Sequence, residues 1–247
     1  MTDASAGLRW SFVALALLVG VGFVAGVWRA WIATGATTRA AARATALAAV
    51  VAATWMGGTA LLAAAGRLRF DGRPPTMPIL FVAILALAAG IGVSRVGARL
   101  AAGLPLAVLV GAQGFRVGVE LLLHRAYLEG LAPVQMTYAG RNLDVVTGVS
   151  ALLLAAWLAR RPAPRRLVHA WNGLGALLLA NVLAVAWLSA PTPLRRFWNE
   201  PPNVWISHAP WVWLPAVMVL AAILGHVLVF RRLRRDARQA PAAGPAA

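Results

Sequence analysis

Long apolar segments recur along the whole chain, separated by shorter basic or Pro-rich segments. A helix needs about 20 apolar residues to cross a bilayer. The pattern predicts seven such spans, at residues 9–28, 43–65, 77–94, 101–124, 144–159, 167–189 and 210–230. The expected fold class is therefore all-α, a polytopic membrane helix bundle. We expect residues 1–230 to form one transmembrane domain and 231–247 a basic, then Ala/Pro-rich, disordered tail.

The fourth predicted span interrupts the apolar pattern with a polar stripe. Its members share an arc of about 80° on one helix face; they are Gln113, Arg116, Glu120, His124 and Tyr127. Arg116 and Glu120 have the spacing of an ion pair along a helix. Charged groups are costly inside a membrane, so they need partners, water or a function. Two interpretations stay open: an ion pair that ties the bundle together, or the wall of a polar cavity.

Three glycines occupy a different face of the same predicted helix. They are Gly111, Gly114 and Gly118. Small residues at four-residue spacing let helix backbones approach closely in membranes. The sequence therefore predicts a central helix that packs tightly on one face and presents polar groups on the other.

Composition and charge support a membrane protein and assign an orientation. Hydrophobic residues make up 61% of the chain and charged residues only 12%, which excludes a soluble globular domain. The net charge of +16 does not indicate nucleic-acid binding, because the arginines cluster at the ends of the spans. The clusters at 160–166 and 231–238 predict a cytoplasmic C-terminus and an outside N-terminus. Cys and Lys are both absent, which excludes disulfides, thiolate metal sites and a lysine Schiff base.

The connection from Gly130 to Asp144 is rich in polar side chains. Pro133 and Gly140 argue against a continuous helix there. We expect Asp144 to cap the fifth span. Arg141 and Asn142 are either ordinary loop residues or members of a site, because such a segment can fold back over the bundle if protein or water satisfies its backbone.

A second outer segment, 191–213, combines five prolines before residue 211 with several tryptophans. This composition predicts an ordered lid rather than a flexible linker. An aromatic belt at the membrane interface is the alternative. The candidate ligand-binding residues of segment 191–213 are Arg196, Asn199, Glu200, Asn203 and His208.

We predict no cofactor. Two alternatives are a haem held by paired histidines and a divalent metal held by His124, His208 and Glu120 or Glu200. We interpret His169 and His226 as packing or interfacial residues near the inner face. Asn172 and Asn181 lie on opposite sides of the sixth span, so we expect them to bond different neighbours.

Residues 115–144 and 191–215, FRVGVELLLHRAYLEGLAPVQMTYAGRNLD and PTPLRRFWNEPPNVWISHAPWVWLP, resemble an uncharacterised group of bacterial multi-pass membrane proteins. The likeness covers about the C-terminal half. No activity, ligand or residue role is attached to that group. The resemblance implies a multi-pass protein of the bacterial cytoplasmic, or inner, membrane.

Three functional hypotheses follow. The first is an outward-facing pocket that binds or transports a small polar or anionic solute, in which Arg116, with Arg141 or Arg196, meets the solute while Glu120 and His124 orient it or relay a proton. The second is a membrane-embedded enzyme for a lipid-linked or periplasmic substrate, with Glu120 or Glu200 as acid or base and His124 or His208 as its partner. The third is a structural or assembly subunit whose outer rim binds another protein. Beyond the lipid bilayer, the sequence names no partner.

Overall fold

The computed structural model describes residues 4–239, and within that range the protein is helical without a β-strand. A 3₁₀ turn, Ala112–Gly114, joins α5 to α6, and a π-helix, Leu214–Val219, leads into α9. The α-helices of the described residues are α1 Ala6–Ala33, α2 Thr38–Ala64, α3 Thr76–Val93, α4 Arg95–Gly103, α5 Leu106–Gly111, α6 Phe115–Leu128, α7 Val145–Leu158, α8 Arg165–Ser189 and α9 Leu220–Gln239.

Six helical segments of the described chain are long and apolar enough to cross a membrane: Ala6–Ala33, Thr38–Ala64, Thr76–Val93, Leu106–Leu128, Arg165–Ser189 and Leu214–Gln239. The fourth begins at Leu106 rather than at the predicted residue 101. The reason is local, because Ser94 caps a separate short helix, α4, and Pro105 precedes the new start. The fifth predicted span corresponds to α7, which has only 14 residues. At 1.5 Å per residue it is about 21 Å long, less than the hydrocarbon thickness of a bilayer.

The helix ends follow from local chemistry. The side chains of Ser5 and Thr37 accept hydrogen bonds from backbone N–H groups at the starts of α1 and α2. Gly35, Gly66 and Gly130 have positive φ angles and lie two residues beyond the ends of α1, α2 and α6. A left-handed residue at this position ends a helix and is most easily a glycine.

The segments that connect the helices lie at two ends of the bundle, and the contacts among them identify each end. At one end, here called the loop end, Ser5 donates to Glu129 and Gln135 donates to Ser189. At the other, here called the arginine end, Arg99 bonds Thr34 and Arg165 bonds the carbonyl of Leu233. The arginine end therefore holds several arginines that cap helix ends and join connections.

The N-terminal end of α1 is fastened to α6 by a carboxylate. Glu129 accepts from the backbone N–H and the hydroxyl of Ser5, at 2.8 and 2.6 Å, and from Arg125 at 2.6 Å. Partial burial raises the pKa of Glu129, but the bonds from Ser5 and Arg125 outweigh it and hold that pKa below its usual range. Glu129 is thus an ionised anchor at neutral pH.

The outer surface of the bundle is apolar. Large side chains such as Leu61, Val82 and Leu177 are each more than 60% exposed. In water such a surface would be a liability, but it is what a lipid-facing surface requires. Helix α9 continues through the basic residues after 230 to Gln239, and the rest of the predicted tail, 240–247, lies outside the described residues.

The glycines of the fourth span provide close packing, as predicted. Added Cβ atoms at Gly111 and Gly114 would meet Ala155 and Leu152 of α7, and one at Gly118 would meet Leu15 of α1. On the facing helix, a Cβ at Gly148 would lie 2.7 Å from the backbone nitrogen of Val117. Helices α6 and α7 are therefore held in backbone contact.

We expect Gly148→Ala to lower the free energy of unfolding by about 1–3 kcal/mol, because the new methyl group would collide with backbone that cannot rotate away. Thermal unfolding of the purified protein in detergent measures the change. Gly173→Ala is the matched control, since nothing lies within 4 Å of its added Cβ. Equal Tm values for the two variants would contradict the close α6–α7 contact.

Candidate functional site

A buried ion pair lies in the middle of the bundle. The guanidinium of Arg116 donates from Nε to Oδ2 of Asp144 at 2.6 Å and from Nη2 to Oδ1. The side chains are only 2% and 8% exposed. This corrects two predictions: Arg116 pairs with Asp144 rather than Glu120, and the Asp144 side chain makes no capping bond to α7.

Asp144 reaches Arg116 because the segment before α7 descends into the bundle. Arg116 lies twelve residues before the end of α6, a depth of about 18 Å below its loop end. Asn142 secures the descent, since it donates to the carbonyl of Met136 at 3.0 Å and accepts from the N–H of Asp144 at 3.0 Å. Irregular backbone survives at such depth only where protein satisfies it.

The remaining donors of Arg116 are also engaged. Nη1 lies 2.8 Å from Nε2 of His226 and 3.5 Å from Oε1 of Gln113, and Nη2 lies 3.5 Å from the carbonyl of Gly175. A guanidinium has five N–H groups, and each has an acceptor within reach here. No donor of Arg116 is left for an incoming anion.

The contacts of His226 fix its tautomer. Arginine only donates, so Nε2 of His226 must accept and Nδ1 must carry the proton. Nδ1 donates to Oδ1 of Asn172 at 2.8 Å, while Nδ2 of Asn172 donates to the carbonyl of His226 at 3.1 Å. His226 is therefore a buried, neutral imidazole between an arginine and an amide; of the two predicted roles, packing or interfacial, the structure does not support the interfacial one.

The hydrogen-bonded side chains of Gln113, Arg116, Asp144, Asn172 and His226 form one buried polar cluster. Small residues make room for this cluster. A Cβ at Gly175 would lie 2.7 Å from Cε1 of His226, and one at Gly225 would collide with the amide of Gln113. The spans that carry Gln113 and His226 also leave regular α geometry nearby: the 3₁₀ turn includes Gln113, and the π-helix before α9 ends at Val219. Irregular turns of this kind are frequent at functional sites.

Glu120 completes the cluster. It is 1% exposed, and its Oε1 accepts from Nδ2 of Asn142 at 2.6 Å. Its other oxygen, Oε2, has no hydrogen-bond partner among residues 4–239. Because Asp144 already neutralises Arg116, Glu120 is a second carboxyl group with no counter-ion of its own in the described ion pairs.

A narrow crevice reaches the cluster. Its volume is about 60 Å³, room for a few water molecules or a short length of alkyl chain. Arg116, Glu120 and Asp144 are the ionisable residues of its wall. The rest is apolar and comes mainly from α3, α6, α8 and the π-helix, including Phe81, Phe115, Leu183, Trp187 and Met218.

Apart from Asp144, the two outer segments contribute to this crevice through apolar residues, Met136 and Ile206. Of their polar candidates, Asn142 joins the cluster, whereas Arg141 is exposed and stacks on Phe197, 5.2 Å from its ring centroid. Buried Asn203 donates to the carbonyl of Ala186.

The other candidates of the second segment lie away from the cluster. Arg196 and Asn199 are exposed, and exposed Glu200 pairs with Arg195. His208 lines a separate hollow of about 320 Å³ at the loop end, beside Ser207, Arg69 and Asp71.

The outer part of the predicted stripe is separate from the ion pair. His124 stacks on Tyr138 at a centroid distance of 4.5 Å and lies 6.0 Å from Tyr127. Its Nδ1 atom has no hydrogen-bond partner among the described residues. Neither His124 nor Tyr127 lines the crevice.

Within residues 4–239, no group of three or more His, Cys, Asp or Glu side chains could hold a metal ion.

Asn172 and Asn181 bond different neighbours, as expected, since Asn181 donates to the carbonyl of Arg141. Sequence reasoning did not place Asp144, Asn172 and His226 in the site. Asp144 and Asn172 each carried a signal, a polar residue at or inside an apolar run, but their spacing did not identify the partner.

Residues 74–234 match the family model described as domain of unknown function DUF8737. The chain belongs to this family. The match covers well over half of the chain and contains every member of the cluster. It starts just before α3, so it also includes the third span, which the resemblance noted from the sequence did not cover. No curated protein matches the chain, and no solved structure does.

The buried pair gives a prediction for stability. Arg116→Leu and Asp144→Leu should each cost about 3–5 kcal/mol, because each leaves an uncompensated buried charge. The double variant should be more stable than either single variant, since it leaves no unpaired charge. Thermal unfolding of the four proteins measures the coupling.

The exposed Arg69–Asp71 pair provides the control cycle, and its substitution should leave Tm unchanged. Additive losses at Arg116 and Asp144 would show that the two side chains do not interact in the membrane-embedded protein.

Proposed function

We propose that this protein binds an amphipathic, lipid-like ligand whose polar end lies in the crevice at Glu120, while most of its apolar chain extends between α3 and α8 into the bilayer. The observation that carries the proposal is one polar cluster at the base of an otherwise apolar crevice, with an unpartnered oxygen of Glu120 beside it. Ligand sites typically combine apolar walls with a few placed polar groups.

The position of the crevice supports entry from the bilayer. Its walls come from α3 and α8, both candidate spans, and stacked rings of Phe81 and Trp187 bridge them at a centroid distance of 5.2 Å. We propose that the crevice opens between these two spans toward the acyl chains, so that an apolar ligand enters without crossing water. This favours a lipid-like ligand over the small anionic solute of our first hypothesis, for which Arg116 has no free donor.

We further propose that the chain crosses the membrane seven times. The descending segment 130–144 and the short helix α7 together make the fifth crossing, which explains how a 14-residue helix suffices. The arginine end then faces the cytoplasm and the loop end faces outward, in a bacterial inner membrane.

Cysteine labelling tests this orientation, because the native chain has no Cys. In intact bacterial cells, Asn199→Cys at the loop end should react with a membrane-impermeant maleimide. Arg161→Cys at the arginine end should react only after permeabilisation. The opposite pattern would reverse the orientation, and labelling of both positions in intact cells would show that α8 does not cross the membrane, which would contradict the proposed topology.

Photo-crosslinking tests the crevice. Dodecanol with a diazirine in its chain should label the purified protein in lipid nanodiscs on α3 or α8, as mapped by peptide mass spectrometry. Ala186→Phe should abolish this labelling, since Ala186 lines the crevice and a phenyl ring would fill it. Ala184→Phe is the control on the same helix, because Ala184 is exposed and does not line the crevice. Equal labelling of the two variants would place the probe elsewhere.

A further inference from the structure

We propose that the ligand of this crevice is a lipophilic cation, and that its positive group replaces a proton on Glu120. This inference rests on the proposed function, because the same crevice holds the ligand's polar end. It adds the charge of the polar part and the exchange that accompanies binding.

The charged groups around Glu120 leave its carboxyl group without a counter-charge. Arg116 and Asp144 neutralise each other through two hydrogen bonds, and His226 is neutral by its contacts. Glu120 therefore stands as a carboxyl group beside a neutral pair. An ionised carboxylate in apolar surroundings needs a counter-charge, so the group holds either a proton or a bound cation.

No other group of the crevice competes for this role. On α6 the ionisable neighbours of Glu120 are Arg116 and His124, before α7 it is Asp144, and on α9 it is His226. The residues of α3, α8 and the π-helix that line the crevice are all apolar. Arg69 and Asp71, next to the lining residue Phe70, pair with each other at the surface.

Aromatic walls suit the same class of ligand. Phe70, Phe81, Phe115 and Trp187 all line the crevice. A desolvated cation is attracted to the face of an aromatic ring, and quaternary ammonium groups are recognised in this way. An anionic head would meet the same negative ring faces, an unpaired carboxyl and an arginine with no free donor.

The exchange is balanced. The protonated carboxyl of Glu120 loses its O–H proton to bulk water as the cationic group arrives, and the carboxylate that remains neutralises that group. One proton leaves for each cation bound, and the charge inside the crevice does not change. Oε1 keeps its bond from Asn142 throughout, while the unpartnered Oε2 faces the incoming head.

The test compares three probes of equal chain length on the full protein in lipid nanodiscs. They are dodecyltrimethylammonium, dodecanol and dodecyl sulfate, with empty nanodiscs as the blank. We expect the cation to bind about tenfold or more tighter than dodecanol, equivalent to roughly 1.4 kcal/mol. We expect the sulfate to bind weakest. A pH indicator in weakly buffered solution should record one proton released per bound cation, and cation affinity should rise with pH.

Glu120→Gln should lose both the preference for the cation and the proton release while still binding dodecanol. Glu129→Gln is the matched control, because Glu129 is a carboxylate at the loop end outside the crevice, and it should behave like the wild type. If Glu120→Gln fails to fold, the pH dependence and proton release of the wild type still decide the matter.

The outcomes separate the two proposals. If no probe binds the wild type above the blank, the crevice is not a ligand site and the proposed function fails. If dodecanol binds but the cation binds no tighter and releases no proton, the proposed function stands and the cation inference is overturned. Proton release by Glu120→Gln equal to that of the wild type would also overturn it.

Discussion

The ion pair between Arg116 and Asp144 is the contact on which the other features of this bundle depend. A single buried charge would be far more costly than any packing contact here, so each partner requires the other. That requirement draws the segment before α7 down to the level of Arg116, which shortens α7 and places Asn142 against Glu120. It also fixes His226 as an acceptor, and through it Asn172 of α8. One pair thus brings residues of α6, α8, α9 and the segment before α7 to a common centre.

The protein distributes polarity in the opposite sense to a water-soluble bundle. Its outer surface carries exposed leucines and valines, while its interior holds a hydrogen-bonded set of charged and amide side chains. In lipid there is no hydrophobic drive between helices, so packing of small residues and interhelical hydrogen bonds must hold the bundle together. Gly148 and its neighbours on α6 provide the first, and the cluster provides the second. The apolar residues and the polar cluster meet at the crevice, which has apolar walls and one polar end.

Much of the architecture could be predicted from the sequence, because apolar runs and glycine spacing are local signals. The six long spans and the close-packed face of the fourth follow from them. The polar stripe also identified α6 as a helix that carries buried charged residues, Arg116 and Glu120. The partner of Arg116 could not be derived, since helical spacing favoured Glu120 while the true partner lies on a non-helical segment 28 residues away. His226 was misread for a similar reason: one histidine in an apolar run carries no sign of which neighbouring helix it meets. Pairing across elements is a property of the tertiary fold.

The π-helix at Leu214–Val219 has a consequence for how this site is maintained. A wide turn accommodates one residue more than an α turn, and each residue of a helix advances the chain by about 100° around its axis. If the same residues folded as regular α-helix, all of α9 beyond them would be turned by about 100° around its axis. His226 would then face a different neighbour, although no residue of the cluster had changed. The rotational position of α9 is therefore part of the site, and the backbone of the π-helix, rather than any side chain, sets it.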